Sequence, residues 1–388
     1  MRQIFSNCLL RYWFVILGLS PAANITAQEV ELLTGEGILF WSPQQQITGY
    51  RGIDKLYPTR EITAGQTAYP LIPDERDLSD FRYRYNGKRF TLDDYLRDMH
   101  VAGLIAVKDG RVVLERYGLG NNADSRWISF SVAKSVVSML IGAAIKDGYF
   151  RSVDDLVTDY LPQLKGGAYD AVTVKNILQM ASGVAWNEDY DDADSDVANA
   201  PGGTLPLFGY MRALSADAAP DEKFNYNTGE TNIAGALLRA AIGNNLSTYL
   251  SSKIWQPFGM ESDANWLIEE PGGVEFGGCC ISATLRDYAR IGIFAMRDGV
   301  LPDGERVLPK GWMAESTTPS NAYDGYGYYW WLFFGDGVYA ALGVFGQLIY
   351  IDPDNNLVIA MHSAWPQAVG TEFGAHRGAF LQALARAL

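Results

Sequence analysis

The pattern of apolar and polar positions divides the chain into strand-rich ends and a helical middle. Two β-rich runs in residues 103–117 flank Lys108-Asp-Gly110, which predicts a hairpin with its turn at Asp109-Gly110. Apolar residues recur at helical spacing over residues 173–180, 231–242 and 283–296. Strand character returns later, at residues 327–334, 339–344, 347–351 and 357–362. The chain therefore alternates strands, helices and strands.

Two shorter segments complete this pattern. Thr91 precedes an acid-rich stretch ending at Asp98 and predicts a capped helix, and residues 372–388 predict a closing helix. Strands at both ends predict one antiparallel sheet, flanked by helices, into which a mostly helical lobe is inserted. The fold class is therefore α+β, and residues 91–388 form the main domain. We expect functional sites at the seam between sheet and lobe.

The N-terminus has the layout of a secretory signal peptide over residues 1–27. Arg2 and Arg11 precede an apolar run at residues 12–20, and small residues follow as far as Ala27. Cleavage would release a periplasmic or secreted protein. Residues 28–90 combine short apolar pieces with turn residues and prolines, so we expect an extension with little regular structure that wraps the main domain.

Composition and charge indicate which kinds of molecule the protein can bind. A content of 48% hydrophobic and 20% charged residues in 388 is typical of a soluble globular protein. The formal net charge of −14 argues against nucleic acid and against anionic membranes. We expect no membrane insertion once the leader is removed. A small molecule is the expected partner, and the oligomeric state stays open. Outside the leader, the adjacent Cys279 and Cys280 favour two buried thiols over a strained vicinal disulfide.

Candidate chemistry begins in an apolar helical stretch at residues 127–145, which carries Ser131 and Lys134 three positions apart. Residues i and i+3 share a helix face, so the lysine can reach the serine hydroxyl. A lysine whose pKa is lowered can take the serine proton and create a nucleophile. The unpaired amides of a helix N-terminus suit an oxyanion. A buried serine and a solvent-reaching lysine in an amphipathic helix remain the alternative.

A Ser-His-Asp arrangement has little support. The chain contains no Gly-x-Ser-x-Gly motif, and of its three histidines, His100, His362 and His376, the last two suit structural roles. Tyr226 lies in a loop that enters a helix and can shuttle a proton, because a nearby cation stabilises the phenolate. On a late strand, Gly346 allows a close backbone approach and the Gln347 amide can complete an oxyanion hole with the Ser131 amide.

These residues carry a family resemblance over residues 91–388. Ser131-Val-Ala-Lys134, Tyr226-Asn-Thr-Gly229 and the late Gly346-Gln347 resemble the serine β-lactamase and penicillin-binding protein superfamily. Within it, the chain is most similar to class C-type esterases and 6-aminohexanoate-dimer hydrolases. The segment from Trp186 to Tyr190 resembles the latter, which implies that Tyr190 hydrogen-bonds the substrate amide. The resemblance implies an acyl-enzyme hydrolase of small esters or amides with Ser131 as nucleophile.

One departure from the superfamily separates two enzyme hypotheses. Members that attack β-lactams carry a cation on the late strand for the substrate carboxylate, whereas this chain has Val344-Phe-Gly346 there. We therefore favour an esterase or amidase. A β-lactamase or D-Ala-D-Ala carboxypeptidase is the alternative, and would need a charge such as Arg286 or Arg290 at the carboxylate. A catalytically silent binding protein on the same scaffold is a third hypothesis.

An acidic loop at residues 189–196 suggests calcium but fails the pattern of an EF-hand. A loop that starts at Asp192 would need glycine at its sixth position and glutamate at its twelfth, where Val197 and Gly203 stand. A solvated loop is the better interpretation. The hydrolase hypothesis requires no metal and no organic cofactor.

Overall fold

The computed structural model describes residues 37–332 and 334–388, so the predicted leader lies outside the described residues. The helices in these ranges are α1 Pro43–Arg51, α2 Ile53–Leu56, α3 Leu92–Asp98, α4 Val132–Lys146, α5 Val157–Tyr160, α6 Val174–Leu178, α7 Asp196–Asn199, α8 Thr204–Ala213, α9 Thr228–Ile242, α10 Leu246–Leu250, α11 Gln256–Phe258, α12 Leu285–Met296, α13 Trp312–Ser316 and α14 Thr371–Ala387. Among these described helices, none is sufficiently long and apolar to cross a membrane.

The strands form two larger sheets and one hairpin. They are β1 Thr59–Ile62, β2 Ile72–Pro73, β3 Arg82–Tyr85, β4 Lys88–Thr91, β5 Val101–Lys108, β6 Arg111–Tyr117, β7 Arg126–Ile128, β8 Ala264–Leu267, β9 Ile281–Thr284, β10 Tyr339–Gly343, β11 Gln347–Asp352 and β12 Leu357–Ser363. The six-stranded sheet has the order β10-β11-β12-β5-β6-β2, and the four-stranded sheet has the order β1-β8-β9-β7. Strands β3 and β4 pair with each other.

The central sheet joins the two ends of the domain, as predicted. Strand β12 pairs antiparallel with β5, which lies more than two hundred residues earlier in the chain. The β5–β6 hairpin turns at Asp109 and Gly110, where both residues have positive φ, as a tight two-residue turn requires. The α+β class is confirmed, because the helical segments α4 to α11 lie between β7 and β8 in the chain.

Helices cover both faces of this sheet. Side chains alternate along β5: Ile105 joins the core that contains α4 and α12, whereas Leu104 joins the core that contains Leu381 of α14. Nearly every residue of β5, β11 and β12 is buried. A strand buried on both faces reads as a continuous apolar run, which explains the lack of polar alternation in these segments.

Two predictions about local structure were wrong. The N-terminal extension is more regular than expected, because α1 and β1 to β3 lie within it and β1 pairs with β8 of the main domain. The strand predicted at residues 327–334 is not formed by the described residues of that range, 327–332 and 334. The chain instead makes a tight turn there, with the Gly327 amide bonded to the Trp330 carbonyl and Tyr329 at φ 60°. Aromatic rings in this segment are held by core packing, so their strand propensity does not decide the backbone.

Candidate active site

The serine nucleophile candidate lies at a strained turn between β7 and α4. Ser131 is the N-cap residue of α4, and Phe130 before it has φ 44°, a left-handed conformation that is costly for a bulky residue. The Phe130 ring is held by Tyr50, 5.1 Å away between ring centroids, and by Phe345, 5.3 Å away. Tyr50 belongs to α1, so the N-terminal extension supports the turn that presents Ser131.

Lys134 lies one helical turn after Ser131 and is buried, as the helix α4 is buried on almost every side. Its Nζ donates to Ser131 Oγ at 2.9 Å, to Thr228 Oγ1 at 3.1 Å and to the Gly278 carbonyl at 2.9 Å. The three bonds fix the amine against the serine hydroxyl. The structure thus brings together Ser131 and Lys134 as the sequence predicted, and adds Thr228 and Gly278, which it did not.

Burial makes Lys134 a usable base. Desolvation lowers the pKa of Lys134 to about 8, and the nearby carboxylate of Glu188 opposes that shift. With this pKa, roughly a tenth of the side chains are neutral at pH 7, compared with a negligible fraction for an exposed lysine. The neutral amine can accept the Ser131 proton, which is the requirement for nucleophilic catalysis by a serine.

Tyr226 lies beside this pair, with its ring centroid 5.2 Å from Lys134 Nζ. Its ring stacks on Trp331 at 5.6 Å. Burial and the charge of Glu188 raise the pKa of Tyr226, and hydrogen bonding with Ser131 offsets this only in part. The electrostatics therefore keep Tyr226 as a neutral phenol rather than the lysine-stabilised phenolate that we expected. A neutral phenol can pass a proton on but does not start the reaction as the base.

Glu188 is a functional candidate that the sequence analysis missed. Its carboxylate accepts hydrogen bonds from the Trp186 indole, the Tyr190 hydroxyl at 2.6 Å, and both the amide and the hydroxyl of Thr228. Thr228 in turn accepts a bond from Lys134. The only available signal was its place two residues before Tyr190, in the segment that carries the family resemblance. Glu188 connects the loop before α7 to the lysine.

Glu188→Gln is expected to shift any activity that depends on neutral Lys134 to lower pH. The carboxylate raises the pKa of Lys134, so its removal lowers that pKa and populates the neutral amine at lower pH. The ascending limb of the profile of kcat/KM against pH, which we expect near pH 8 in the wild type, should move to lower pH. The exposed neighbour Asp189→Asn is the matched control. A limb that stays in place or moves to higher pH would contradict this role.

These groups open into a cavity of about 400 Å³ at the seam between the sheet and the helical lobe. Its lining residues are Ser131, Glu188, Tyr190, Tyr226, Trp331, Leu342, Gly343, Val344, Trp365, Ala368, Val369, Gly370, Gly374 and Arg377. Tyr190 is thus in the cavity, and its hydroxyl proton is donated to Glu188. Its oxygen can still accept a bond, and the proposed bond to a substrate amide stays a prediction.

The late strand reaches the cavity through different residues from those predicted. Gly343 and Val344 line it, whereas Gly346 and Gln347 do not. Gln347 is fully buried, and its carboxamide bonds both the carbonyl and the amide of Ser363. A Cβ on Gly343 would lie 2.4 Å from the Ser129 carbonyl, so glycine permits the close approach to the serine turn. An oxyanion role for the Gln347 amide stays a prediction. Val344 is the residue of this segment nearest to Gln347 that lines the cavity.

Gly346 and the histidines have other surroundings. A Cβ on Gly346 would lie 2.5 Å from the Trp365 ring, and its φ is 92°, so glycine allows the tryptophan to pack against this turn. His362 is buried against Tyr288, and burial lowers its pKa to about 3. His376 bonds the Tyr83 hydroxyl at 2.6 Å. The cavity lining contains no histidine.

Arg286 and Arg290, the cations that the β-lactamase hypothesis needed near Ser131, form ion pairs outside the cavity. Arg286 forms an ion pair with Glu115 at 2.8 Å, and Arg290 pairs with Glu261 at 2.8 Å and Asp287 at 3.0 Å. Both lie on α12 and neither lines the cavity. They are therefore not placed to bind the carboxylate of a β-lactam beside Ser131.

The cysteines differ from the expectation of two thiols. Cys279 and Cys280 are joined in a vicinal disulfide. They follow Gly278 directly, whose carbonyl accepts the Lys134 bond, and the Cys279 carbonyl accepts a bond from the Trp266 indole at 3.1 Å. The turn that brings the Gly278 carbonyl to Lys134 places the two sulfur atoms side by side.

Glu230 lies behind the Tyr226 loop, in the first turn of α9, and should make stability fall as pH rises. Burial raises its pKa to about 8, although Tyr169 donates a bond to it at 3.2 Å. Between about pH 4.5 and pH 8 the folded chain keeps a proton that the unfolded chain has lost, so the free energy of unfolding decreases with pH. Glu230→Gln should remove this dependence and stabilise the protein by about 1 to 3 kcal/mol at pH 8.

Urea unfolding of both proteins at pH 5 and pH 8 measures this effect. The exposed Glu305→Gln is the control, since its carboxylate is solvated in both states. A wild-type protein with the same free energy of unfolding at both pH values would contradict a buried, protonated Glu230. So would an increase in the free energy of unfolding in Glu305→Gln that equals the increase in Glu230→Gln.

Known proteins resemble this chain in sequence and in fold. Residues 91–384 match the Beta-lactamase family. The chain is 27% identical over 339 residues to the 6-aminohexanoate-dimer hydrolase of Paenarthrobacter ureafaciens, with 81% of this chain and 84% of the relative covered.

Two solved structures are also similar in fold. One from Bacillus anthracis, provisionally described as a 6-aminohexanoate-dimer hydrolase, superimposes with a TM-score of 0.79 at 20% identity over 88% of this chain and 94% of the other. A family VIII carboxylesterase superimposes with a TM-score of 0.56 at 15% identity over 74% of this chain and 95% of the other. At these identities the two structures support the fold alone.

Proposed function

Because this chain belongs to the Beta-lactamase family and is a hydrolase, we propose that it cleaves small esters or amides through an acyl-enzyme on Ser131. The observation that carries the proposal is the buried Lys134, 2.9 Å from Ser131 Oγ, whose pKa lies near 8. A lysine with this pKa is half neutral near pH 8 and serves as a general base. Every group in the scheme belongs to the chain, so the scheme requires no metal or organic cofactor.

Acylation proceeds in two proton transfers. Neutral Lys134 takes the Ser131 proton as Oγ forms a bond to the substrate carbonyl carbon, and the carbonyl oxygen becomes an oxyanion. The Ser131 amide, with a second amide from Val344 or Gln347, stabilises that charge. The tetrahedral intermediate then collapses, and the bond to the leaving alkoxide or amine breaks. The Lys134 ammonium returns the proton to the leaving group through the neutral hydroxyl of Tyr226.

Deacylation uses the same groups in the reverse direction. Water enters the position of the leaving group and loses a proton to Lys134 through Tyr226, as its oxygen attacks the acyl carbon. Collapse of the second intermediate breaks the bond to Ser131 Oγ, which regains its proton. An amide leaving group depends more strongly on protonation than an ester does, so Tyr226 matters most for amides.

Two features support a 6-aminohexanoate-oligomer-type substrate over a β-lactam. A relative with 27% identity over most of both chains is named as a 6-aminohexanoate-dimer hydrolase. The late strand also brings Leu342, Gly343 and Val344 to the cavity, so the strand itself supplies no cation there, and the arginine in the lining, Arg377, belongs to α14. The leader at residues 1–27, which lies outside the described residues, supports action in the periplasm or outside the cell.

A labelling and turnover experiment tests the proposal. The purified protein is treated with a fluorophosphonate, and its intact mass is measured; one adduct on Ser131 is expected. It is then offered para-nitrophenyl esters, a 6-aminohexanoate dimer and the chromogenic β-lactam nitrocefin. Turnover of an ester or of the dimer well above that of nitrocefin is expected. Preferred turnover of nitrocefin would favour the lactamase alternative, and neither adduct nor turnover would favour the silent binding protein.

A further inference from the structure

Arg377 lies on the wall of the active-site cavity that α14 contributes. The side chain is buried, with 7% of its surface exposed. Its guanidinium carbon lies 4.9 Å from the Trp365 ring, which also lines the cavity and supports the guanidinium through a cation–π contact. A strong hydrogen-bond donor therefore faces the same space as the Ser131 hydroxyl.

This guanidinium has no anionic partner in the described parts of the chain, 37–332 and 334–388. No hydrogen bond or ion pair from Arg377 is formed there, and its Nε is enclosed without an acceptor. Arg290, which is similarly buried, pairs with two carboxylates. Burial lowers the pKa of Arg377 to about 10, so the group is still charged at neutral pH. A buried charge without a partner is destabilising, which makes this arrangement unusual for a purely structural arginine.

The other residues that line the cavity indicate which ligand would offset the destabilising effect of the buried Arg377 charge. Apolar side chains such as Trp331, Leu342 and Val369 form the wall. Glu188 is the sole acidic residue in the lining, and both of its oxygens already accept hydrogen bonds. A fitting ligand therefore has an electrophilic carbonyl for Ser131, an aliphatic portion, and an anionic group for Arg377.

We propose that Arg377 binds a carboxylate of the substrate, so that the preferred substrates are carboxylate-bearing esters or amides with an aliphatic spacer. The planar guanidinium matches a carboxylate with two parallel hydrogen bonds. This inference rests on the proposed hydrolase function and specifies its substrate class. The carboxylate can belong to the acyl group or to the leaving group, and the two cases are separated by experiment.

Two matched pairs of substrates test the inference. Mono-para-nitrophenyl adipate and its methyl ester differ by a carboxylate on the acyl side. The compound para-(butanoyloxy)benzoate and its methyl ester differ by a carboxylate on the leaving group. Values of kcat and KM are measured for the wild type, Arg377→Gln, Arg377→Lys and the control Arg386→Gln, an exposed arginine on the same helix.

We expect the anionic member of one pair to have a kcat/KM about 10- to 100-fold above its neutral partner, mainly through KM. This preference should disappear in Arg377→Gln, persist in part in Arg377→Lys and be unchanged in Arg386→Gln. The pair that shows it identifies the side of the scissile bond. The inference would be overturned if, in both pairs, the wild type had equal kcat/KM values for the anionic and the neutral substrate. It would also be overturned if a preference for the anionic substrate survived in Arg377→Gln. Either result would leave the hydrolase proposal intact.

If neither pair of substrates is cleaved and Ser131 is not labelled, the hydrolase proposal is refuted. A binding measurement still tests the role of Arg377 in that case. Trp331 and Trp365 line the cavity, so their fluorescence reports occupancy. Adipamate, which carries one carboxylate, should bind the wild type about 10-fold or more tightly than neutral adipamide, and Arg377→Gln should remove the difference. Equal binding of the two ligands by the wild type would overturn the role of Arg377.

Discussion

Ser131→Ala is expected to lower kcat/KM for an ester substrate by about 10⁴-fold or more and to abolish the fluorophosphonate adduct. The alanine removes the atom that bonds the acyl group, so no neighbouring side chain can replace it. Lys134→Met should cause a loss of similar size, because the serine then has no base at 2.9 Å. The double variant should be little worse than either single variant, since the two groups act as one unit.

Lys146→Met is the matched control for this pair. Lys146 lies on the same helix, α4, but is exposed near its C-terminus, so its loss should leave turnover unchanged. Steady-state kinetics and intact-mass labelling on the wild type and the four variants give the result. An adduct that persists in Ser131→Ala would place the nucleophile elsewhere, and full activity in Lys134→Met would refute the lysine as base.

Tyr226→Phe should reduce kcat by about 10² to 10³-fold, the range of a lost general acid. The raised pKa of Tyr226 keeps its proton available at neutral pH, and the ring would stay stacked on Trp331 after the substitution. The reduction should be larger for an amide than for a nitrophenyl ester, because nitrophenolate leaves without a proton. That ratio separates proton delivery from a packing effect.

Tyr329→Phe is the matched control for Tyr226→Phe, because it removes the same hydroxyl group from a neighbouring tyrosine. The Tyr329 hydroxyl is buried and has no hydrogen-bond partner in the described parts of the chain, so its removal should leave activity and folding intact. Amide and ester kinetics are compared for both variants. Equal losses for the two substrates in Tyr226→Phe would exclude a role in leaving-group protonation.

The sequence predicted the sheet better than its connections. The runs that became β5, β11 and β12 are apolar over most of their length, and their burial on both faces makes that signal strong. Residues 327–332 are rich in aromatic side chains, which also favour strands, yet this segment turns back on itself. Tyr329 bonds the Leu178 carbonyl there, a contact with a residue more than a hundred positions away that no local pattern shows.

The candidate site was predictable where chemistry depends on spacing along one element. Ser131 and Lys134 lie three residues apart on a helix, and Tyr226 lies in a motif that the family resemblance marks. On the late strand the sequence pointed to Gln347 as a donor, which stays a prediction, whereas the residues that border the cavity are Leu342, Gly343 and Val344. A kink at Phe345, with φ 60°, changes which residues of this segment face the serine. Backbone conformation of that kind is not readable from residue types.

The sequence by itself determined the α+β class, the three-residue spacing of Ser131 and Lys134 and the acidic character of the chain, because these depend on periodicity, spacing and composition. Only the tertiary structure decided the pKa of Lys134, the bonds of Glu188 and the unpaired state of Arg377. Each of these depends on how far a charge is removed from water and which distant groups surround it. Burial and pairing are sums over contacts between residues far apart in the chain, so they exist only once the chain has folded.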